Sequence, residues 1–174
     1  MKQIIKVKVL TEGCLPEITQ DGDWIDLRAA EDLHIEAPYA VSRTRKGGES
    51  SRKVMFTHKY IPLGVAMQLP AGMEAVVAPR SSSIKNFHFI QPNSPAVIDC
   101  SYCGDNDQWY GSILCVGDVD IKKGDRICQF RIQLSQKATV AQKLKWLLSD
   151  GVEIKVVNSL DNPNRGGLGH SGIQ

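Results

Sequence analysis

Along most of this chain, hydrophobic and polar positions alternate with the two-residue period of half-buried strands. Near the start, Ile5, Val7 and Val9 alternate with Lys6 and Lys8, which predicts a strand with one face in a core. The same pattern runs through Ile61, Leu63, Val65, Met67 and Leu69. Pro62 and Gly64 in the intervening places predict an edge strand or a bend there. The run E-A-V-V-A-P leads to Arg80, and Ala96, Val97 and Ile98 lead to Asp99, with G-S-I-L-C-V as the return strand of a hairpin. R-I-C-Q-F-R-I-Q-L places Phe130, Ile132 and Leu134 on one face and Gln129 and Arg131 on the other, and V-E-I-K-V-V is a last strand. One segment has the helical period instead. Thr139 and Gln142 fit a capping box, Val140, Leu144, Leu147 and Leu148 share one stripe, and Ser149-Asp150-Gly151 stops a helix over about 139–149. Its Lys143, Lys145 and Trp146 are assigned to packing and solubility. About eight or nine short strands, one helix and no repeated βα unit predict an all-β, antiparallel sandwich or barrel of jelly-roll type.

Polar stretches punctuate this pattern. Residues 42–53, S-R-T-R-K-G-G-E-S-S-R-K, form an exposed basic loop, and the glycine-rich end beyond Leu160 has no core-forming pattern. The chain thus divides into a body, 1–160, and a tail, 161–174. A length of 174 residues suits one domain with a sizeable core. Twenty-one basic residues against nineteen acidic ones leave +2, too even to argue for nucleic acid or a membrane. No apolar run approaches the ~20 residues of a spanning helix, and no signal-peptide core opens the chain, so a soluble, cytoplasmic protein is expected. The five cysteines are an odd number spread through apolar segments, which predicts reduced thiols. Cys100 and Cys103 form a C-x-x-C. They lack a second pair, and His34, His58, His88 and His170 are scattered, so two free thiols are expected rather than a zinc or redox site.

Candidate chemistry centres on N-S-P-A-V-I-D-C-S-Y-C-G, residues 93–104. Asn93, Asp99, Tyr102 and Gly104 would place an amide, a carboxylate and an aromatic ring around one hairpin. That set suits a nucleoside: amide and backbone on the base edge, ring against the sugar, acid on a hydroxyl or a water. The plainer alternative is a strand ending in a polar turn. Arg80 followed by Ser81, Ser82 and Ser83 offers a guanidinium fork and hydroxyls to phosphate oxygens, or is an ordinary serine-rich turn. Asp21, Asp23, Asp26, Glu31 and Asp32 are either acids near a divalent cation or solvated loop residues. Arg165 with Gly166, Gly167, Gly169 and Gly172 could wrap N–H groups around a phosphate, although the tail lacks the Lys-Ser/Thr of a P-loop.

In order, these segments resemble the five short motifs of the trimeric dUTPase (dUTP diphosphatase) family. W-I-D-L-R-A-A-E-D (24–32) is similar to the first, A-P-R-S-S-S (78–83) to the second and N-S-P-A-V-I-D-C-S-Y-C-G to the third. K-G-D-R-I-C-Q-F (123–130) is similar to the fourth and N-R-G-G-L-G-H-S-G (164–172) to the fifth. The resemblance implies a homotrimer of jelly-roll subunits with shared active sites, hydrolysing dUTP to dUMP and diphosphate with Mg2+ on the triphosphate. It implies Asp99 as the residue that activates water, and Tyr102 beneath the deoxyribose. Asn93 and the backbone around Val97, Ile98 and Asp99 would read uracil. Arg80, Ser81, Ser82 and Gln129 would hold phosphates, and Asp26 would touch the metal through water. Arg165, Leu168 and Ser171 would belong to a mobile tail that closes over the nucleotide. Neither nucleic acid nor membrane is an implied partner.

The chain departs from the family pattern in several places. Asp23-Trp24 replaces a small residue and glycine, and Ser101 replaces a common acid with little expected effect. The tip before Trp109 is longer than usual. The 139–149 helix is an insertion expected at the trimer's periphery, and Leu168 stands where a phenylalanine often stacks on uracil, which predicts a looser closed state. Two rival readings share the residues: a dCTP-deaminase-like enzyme and a non-catalytic nucleotide-binding regulator. The first needs a glutamate on the return strand, and G-S-I-L-C-V has none.

Overall fold

The computed structural model describes residues 1–19, 22–44, 48 and 50–166. The strands, in chain order, begin with β1 (Gln3–Val9), β2 (Glu17–Ile18), β3 (Ile25–Arg28), β4 (Leu33–Ile35), β5 (Tyr39–Thr44), β6 (Ser50–Met55), β7 (His58–Gln68) and β8 (Met73–Pro79). After the short helix α1 (Ser83–Phe87) come β9 (Phe89–Ile90), β10 (Ala96–Asp99), β11 (Gln108–Cys115), β12 (Val119–Ile121) and β13 (Arg126–Leu134). Helix α2 (Val140–Leu147) and β14 (Val152–Val156) follow. Two five-stranded sheets, ordered β14-β1-β7-β11-β9 and β10-β8-β13-β3-β2, make the jelly-roll sandwich, and β12-β4 and β5-β6 are separate two-stranded ribbons. Among the described residues every strand pairing is antiparallel except β1 with β14.

The alternation predicted along the chain is what fills the core. Ile5, Val7, Leu63, Val65 and Met67 from one sheet are buried with Leu27, Val77, Phe130 and Ile132 from the other. Trp109 on β11 meets the Phe130 ring on β13 edge to face, 5.2 Å between centroids, and so joins the two layers. All five cysteines are unpaired, and burial pushes the Cys128 thiol up to about 12, which keeps it protonated and inert. Among the described residues, no helix is long and apolar enough to cross a membrane.

Four expectations change. Pro62 and Gly64 mark a bend, not an edge, because β7 lies between β1 and β11. It pairs with β11 over His58–Ala66 and with β1 over Val65–Gln68. At the bend Gly64 has φ 66°, and its carbonyl accepts from the Leu10 and Thr11 N–H groups at 2.8 and 3.1 Å. Second, the basic segment 42–53 includes the arms of the β5–β6 ribbon, in register from Tyr39↔Met55 to Thr44↔Ser50. Third, α2 forms with the expected capping box, Gln142 N–H on Thr139 Oγ1 at 3.3 Å and Thr139 N–H on Gln142 Oε1 at 2.7 Å. Its apolar stripe faces solvent, however, with Val140, Leu147 and Leu148 all more than 70% exposed. The face toward the body carries Gln142, against the Gly72 turn, and Trp146, whose large ring packs on the core. The wide Trp146 surface and the cap geometry orient this short helix more strongly than its smaller aliphatic side chains do.

The fourth change bears on function. Asp99 to Gln108 is no strand–turn–strand hairpin. Among the described residues β10 pairs only with β8, whereas β11 pairs with β7 and β9 in the opposite sheet. The chain switches layers here, so β10 keeps one backbone edge without a strand partner.

Gly64→Ala is expected to lower stability by about 2 kcal/mol. A Cβ there lies 2.8 Å from the Cys14 side chain and 2.9 Å from that of Thr11, on a left-handed backbone. Denaturant midpoints at equal protein concentration measure it, and an unchanged midpoint would contradict this account of the bend.

Candidate active site

Two groups of polar side chains stand at opposite ends of β8. The first is built on the outer end of β10. Asp99 ends that strand half-exposed, and its carboxylate accepts the Ser101 N–H at 3.0 Å as well as the Ser101 hydroxyl. Arg165 Nη1 meets its other oxygen at 2.6 Å. Burial pushes the Asp99 carboxyl up, but the Ser101 hydroxyl, the Arg165 guanidinium and the Ser101 N–H together hold it below the usual carboxylate range. Tyr102 is half-buried against the core, its N–H donates to the Asp99 carbonyl at 3.2 Å, and its hydroxyl donates to the Gln108 carbonyl at 2.8 Å, which fixes the ring. Asn93 is exposed in the turn that leads into β10, Val97 is exposed on the strand, and Ile98 packs partly on the core. The open edge of β10 offers backbone donors and acceptors to a planar ligand edge.

The second group surrounds Asp26 on β3, which is 4% exposed. A buried carboxylate needs charged partners. Arg80 Nε reaches Oδ1 at 2.8 Å from the end of β8, and Arg126 Nη1 reaches Oδ2 at 3.1 Å from β13. Two guanidiniums on one carboxylate leave a surplus positive charge, and both arginine side chains are partly exposed. Gln129 faces Asp26 across the β3–β13 pair and donates to the Pro79 carbonyl at 3.3 Å. Ser83 is buried; its hydroxyl accepts the Arg80 N–H and donates to the Ile127 carbonyl, both at 3.1 Å. Those bonds set the serine turn. Ser81 is left exposed, and Ser82, at the start of α1, makes no side-chain cap bond. Arginine fork, free hydroxyls and amide form a phosphate-shaped donor set.

The groups do not meet within one chain. Asp99 pairs with Glu74 at one end of β8, and Arg80 follows its other end, six residues on. At about 3.3 Å per residue the separation along the strand is roughly 20 Å. The acids at 23, 26 and 32 also disperse: Asp23 lies 3.9 Å from Arg131, and Asp32 takes the Lys123 N–H and lies 3.5 Å from Lys122. Among the described residues, no three His, Cys, Asp or Glu side chains gather to hold a metal. Asp21, Leu168 and Ser171 lie outside the described residues.

Three contributors escaped the sequence reading. Ser101, expected to matter little, bonds the Asp99 carboxylate directly. Arg126 lies in a motif from which only Gln129 was selected, yet it is the second cation on Asp26. Asp107, in the long tip before Trp109, is 1% exposed, with backbone N–H groups on both oxygens. Its partners are the N–H groups of Gly104, Arg165 and Gly166, so no local pattern signals it.

Known proteins match this chain extensively. A dUTPase family model matches residues 50–171. The chain is 45% identical over 172 residues, 98% of its length and 99% of the relative's, to the SPbeta prophage-derived deoxyuridine 5'-triphosphate nucleotidohydrolase YosS of Bacillus subtilis. The fold is similar to a Streptococcus mutans dUTPase, with TM-score 0.58 and 21% identity over 77% of this chain and 98% of that one. It is also similar to a dUTPase from phage phi11 of S. aureus described with a structural Mg(II) ion, with TM-score 0.59 and 17% identity over 78% of this chain and 94% of that one. With its motifs in order on a jelly-roll sandwich, the chain belongs to the dUTPase family.

Proposed function

We propose that this protein hydrolyses dUTP to dUMP and diphosphate in a homotrimer whose active sites are shared between subunits. The observation that carries the reading is Asp99: an ionised, half-exposed carboxylate at the end of an open-edged strand, held by Ser101 and covered by Arg165. Uracil would lie along the free backbone edge near Val97 and Ile98, with Asn93 on its polar rim. The Tyr102 ring would lie beneath the deoxyribose and leave no room for a 2′-hydroxyl. For chemistry, Arg165 moves from Asp99 onto phosphate oxygens and frees the carboxylate. Asp99 then takes a proton from a water as the water oxygen bonds the α-phosphorus, and the bond from that phosphorus to the β-phosphate oxygen breaks.

Arg80, Ser81, Ser82 and Gln129 would hold the phosphates. Their roughly 20 Å offset from Asp99 along β8 supports a site completed by a second copy of the chain. The tail 161–174, including Leu168 and Ser171, would close over the nucleotide and exclude water. The side chains fit a magnesium ion that arrives on the triphosphate rather than one held in a protein cage. Both oxygens of Asp26 already accept guanidinium N–H groups, leaving lone pairs for a metal-bound water rather than for direct coordination. When bound, Mg2+ would neutralise phosphate charge. A nucleotide substrate and a near-balanced net charge of +2 support a cytoplasmic site of action.

Incubation with dUTP, dCTP or dTTP plus Mg2+ tests the reading. The expected products are dUMP and diphosphate from dUTP alone, while ammonia release or no turnover would favour a rival. Light scattering is expected to give a trimer's mass. Asp99→Asn should lower turnover by about 10²–10⁴-fold yet keep binding of a non-hydrolysable analogue. Ending the chain at Leu160 should cut the rate roughly ten-fold or more, the worth of a charge-assisted bond; full activity would remove the tail from the mechanism.

The Asp99 environment also predicts a pH dependence. Its carboxyl is depressed below 3.8, so the base stays ionised to lower pH, and the acid limb of kcat/KM should fall below that value. Ser101→Ala removes one stabilising bond and should move the limb, and the Asp99 carboxyl titration followed by NMR, toward higher pH. An unmoved titration would deny Ser101 this role.

A further inference from the structure

We infer that Asp107 is a positioning residue: it clamps the root of the tail by its backbone and thereby aims Arg165 at Asp99. The inference rests on the dUTPase reading for its effect on rate, but the clamp itself is a matter of geometry. Asp107 Oδ2 accepts the N–H of Gly104 at 2.8 Å and that of Arg165 at 2.9 Å. Its Oδ1 accepts the Arg165 N–H at 3.1 Å and the Gly166 N–H at 3.2 Å. Consecutive N–H groups converging on one carboxylate form an anion nest, here with the anion supplied by the protein itself. The Gly104 bond is local and would survive without the tail. The others exist only when the tail is docked.

Neighbouring residues of the same tip hold the segment that leads into residue 165. The Asn106 N–H donates to Asn164 Oδ1 at 2.8 Å, and Asp105 accepts the Leu160 N–H at 2.7 Å and the Ser159 hydroxyl at 3.0 Å. Gly104 is a glycine because the tail passes over it: a Cβ there would lie 2.4 Å from the Asn164 side chain and 2.5 Å from its Cα. Residue 165 is therefore held twice, by its backbone on buried Asp107 and by its side chain on half-exposed Asp99. The two holds differ in kind. Breaking the first strands a buried carboxylate, whereas the second exchanges easily with water or phosphate. Asp107 thus acts as the pivot about which the Arg165 side chain passes from the base to the nucleotide.

The test is a double-mutant cycle on dUTP hydrolysis with Asp107→Asn and the chain ended at Leu160, together with trypsin cleavage of substrate-free protein after Arg165, read by mass. Asp107→Asn should lower kcat about as far as the truncation does, and add no further loss in the truncated chain. It should also speed cleavage at Arg165–Gly166 at least ten-fold. A residue that only supports the fold of the tip would lower kcat equally in both backgrounds, which would overturn the inference. Unchanged cleavage would overturn it too. Gly104→Ala obstructs the tail while keeping the Asp107 side chain and the residue-104 N–H, and should give the same two results, so an unstable Asp107 variant does not end the test. If the wild-type chain fails to hydrolyse dUTP, the functional reading fails while the cleavage rates still decide the clamp.

Discussion

The crossing of the chain from one sheet to the other between Asp99 and Gln108 is the constraint on which the site depends. A tight β-hairpin here would have paired β10 with β11 and satisfied both backbones. Instead β11 joins β7 in the opposite layer, where Trp109 packs on Phe130. Among the described residues β10 is left with one backbone edge unpaired, and Asp99 ends it partly in solvent rather than in the core. The residues that make the crossing, 100–107, supply the Ser101 bonds, the anchored Tyr102 ring and the acidic tip that receives residues 164–166.

Buried charge is satisfied in two different ways, and each suits its place. Asp26 lies between strands from which Arg80 and Arg126 can reach it, so it is neutralised by guanidiniums and leaves their outer N–H groups available to an anion. Asp107 has no cation on it among the described ion pairs and is held by backbone N–H groups, three of its four bonds coming from Arg165 and Gly166. The first arrangement stiffens a phosphate-shaped surface. The second makes the position of residues 165 and 166 part of a buried polar group's satisfaction.

Much was legible in the amino-acid order because the relevant rules are local. Period-two alternation marked the β1, β7 and β13 core faces, the Thr139–Gln142 box marked the start of α2, and the ordered short motifs marked the family. Asp99, Arg80 and Gln129 were found as residue types in their motifs. Misplaced elements were those in which local preference met a tertiary demand. The α2 stripe faces outward because Trp146 and Gln142 dock on the body, and β7 is central because its bend lets two neighbours pair with successive halves.

The sequence by itself determined the strand-rich sandwich, the family and the chemistry-bearing residue types, since each depends on spacing within a dozen residues or on motif order. Only the tertiary structure decided which sheet each strand joined, that Asp99 and Arg80 lie far apart in one chain, and that Asp107 faces the tail. Those are contacts between segments as far apart in the chain as Gln3 and Val152. Their energies depend on burial and on which partner arrives, and neither is encoded in a local pattern.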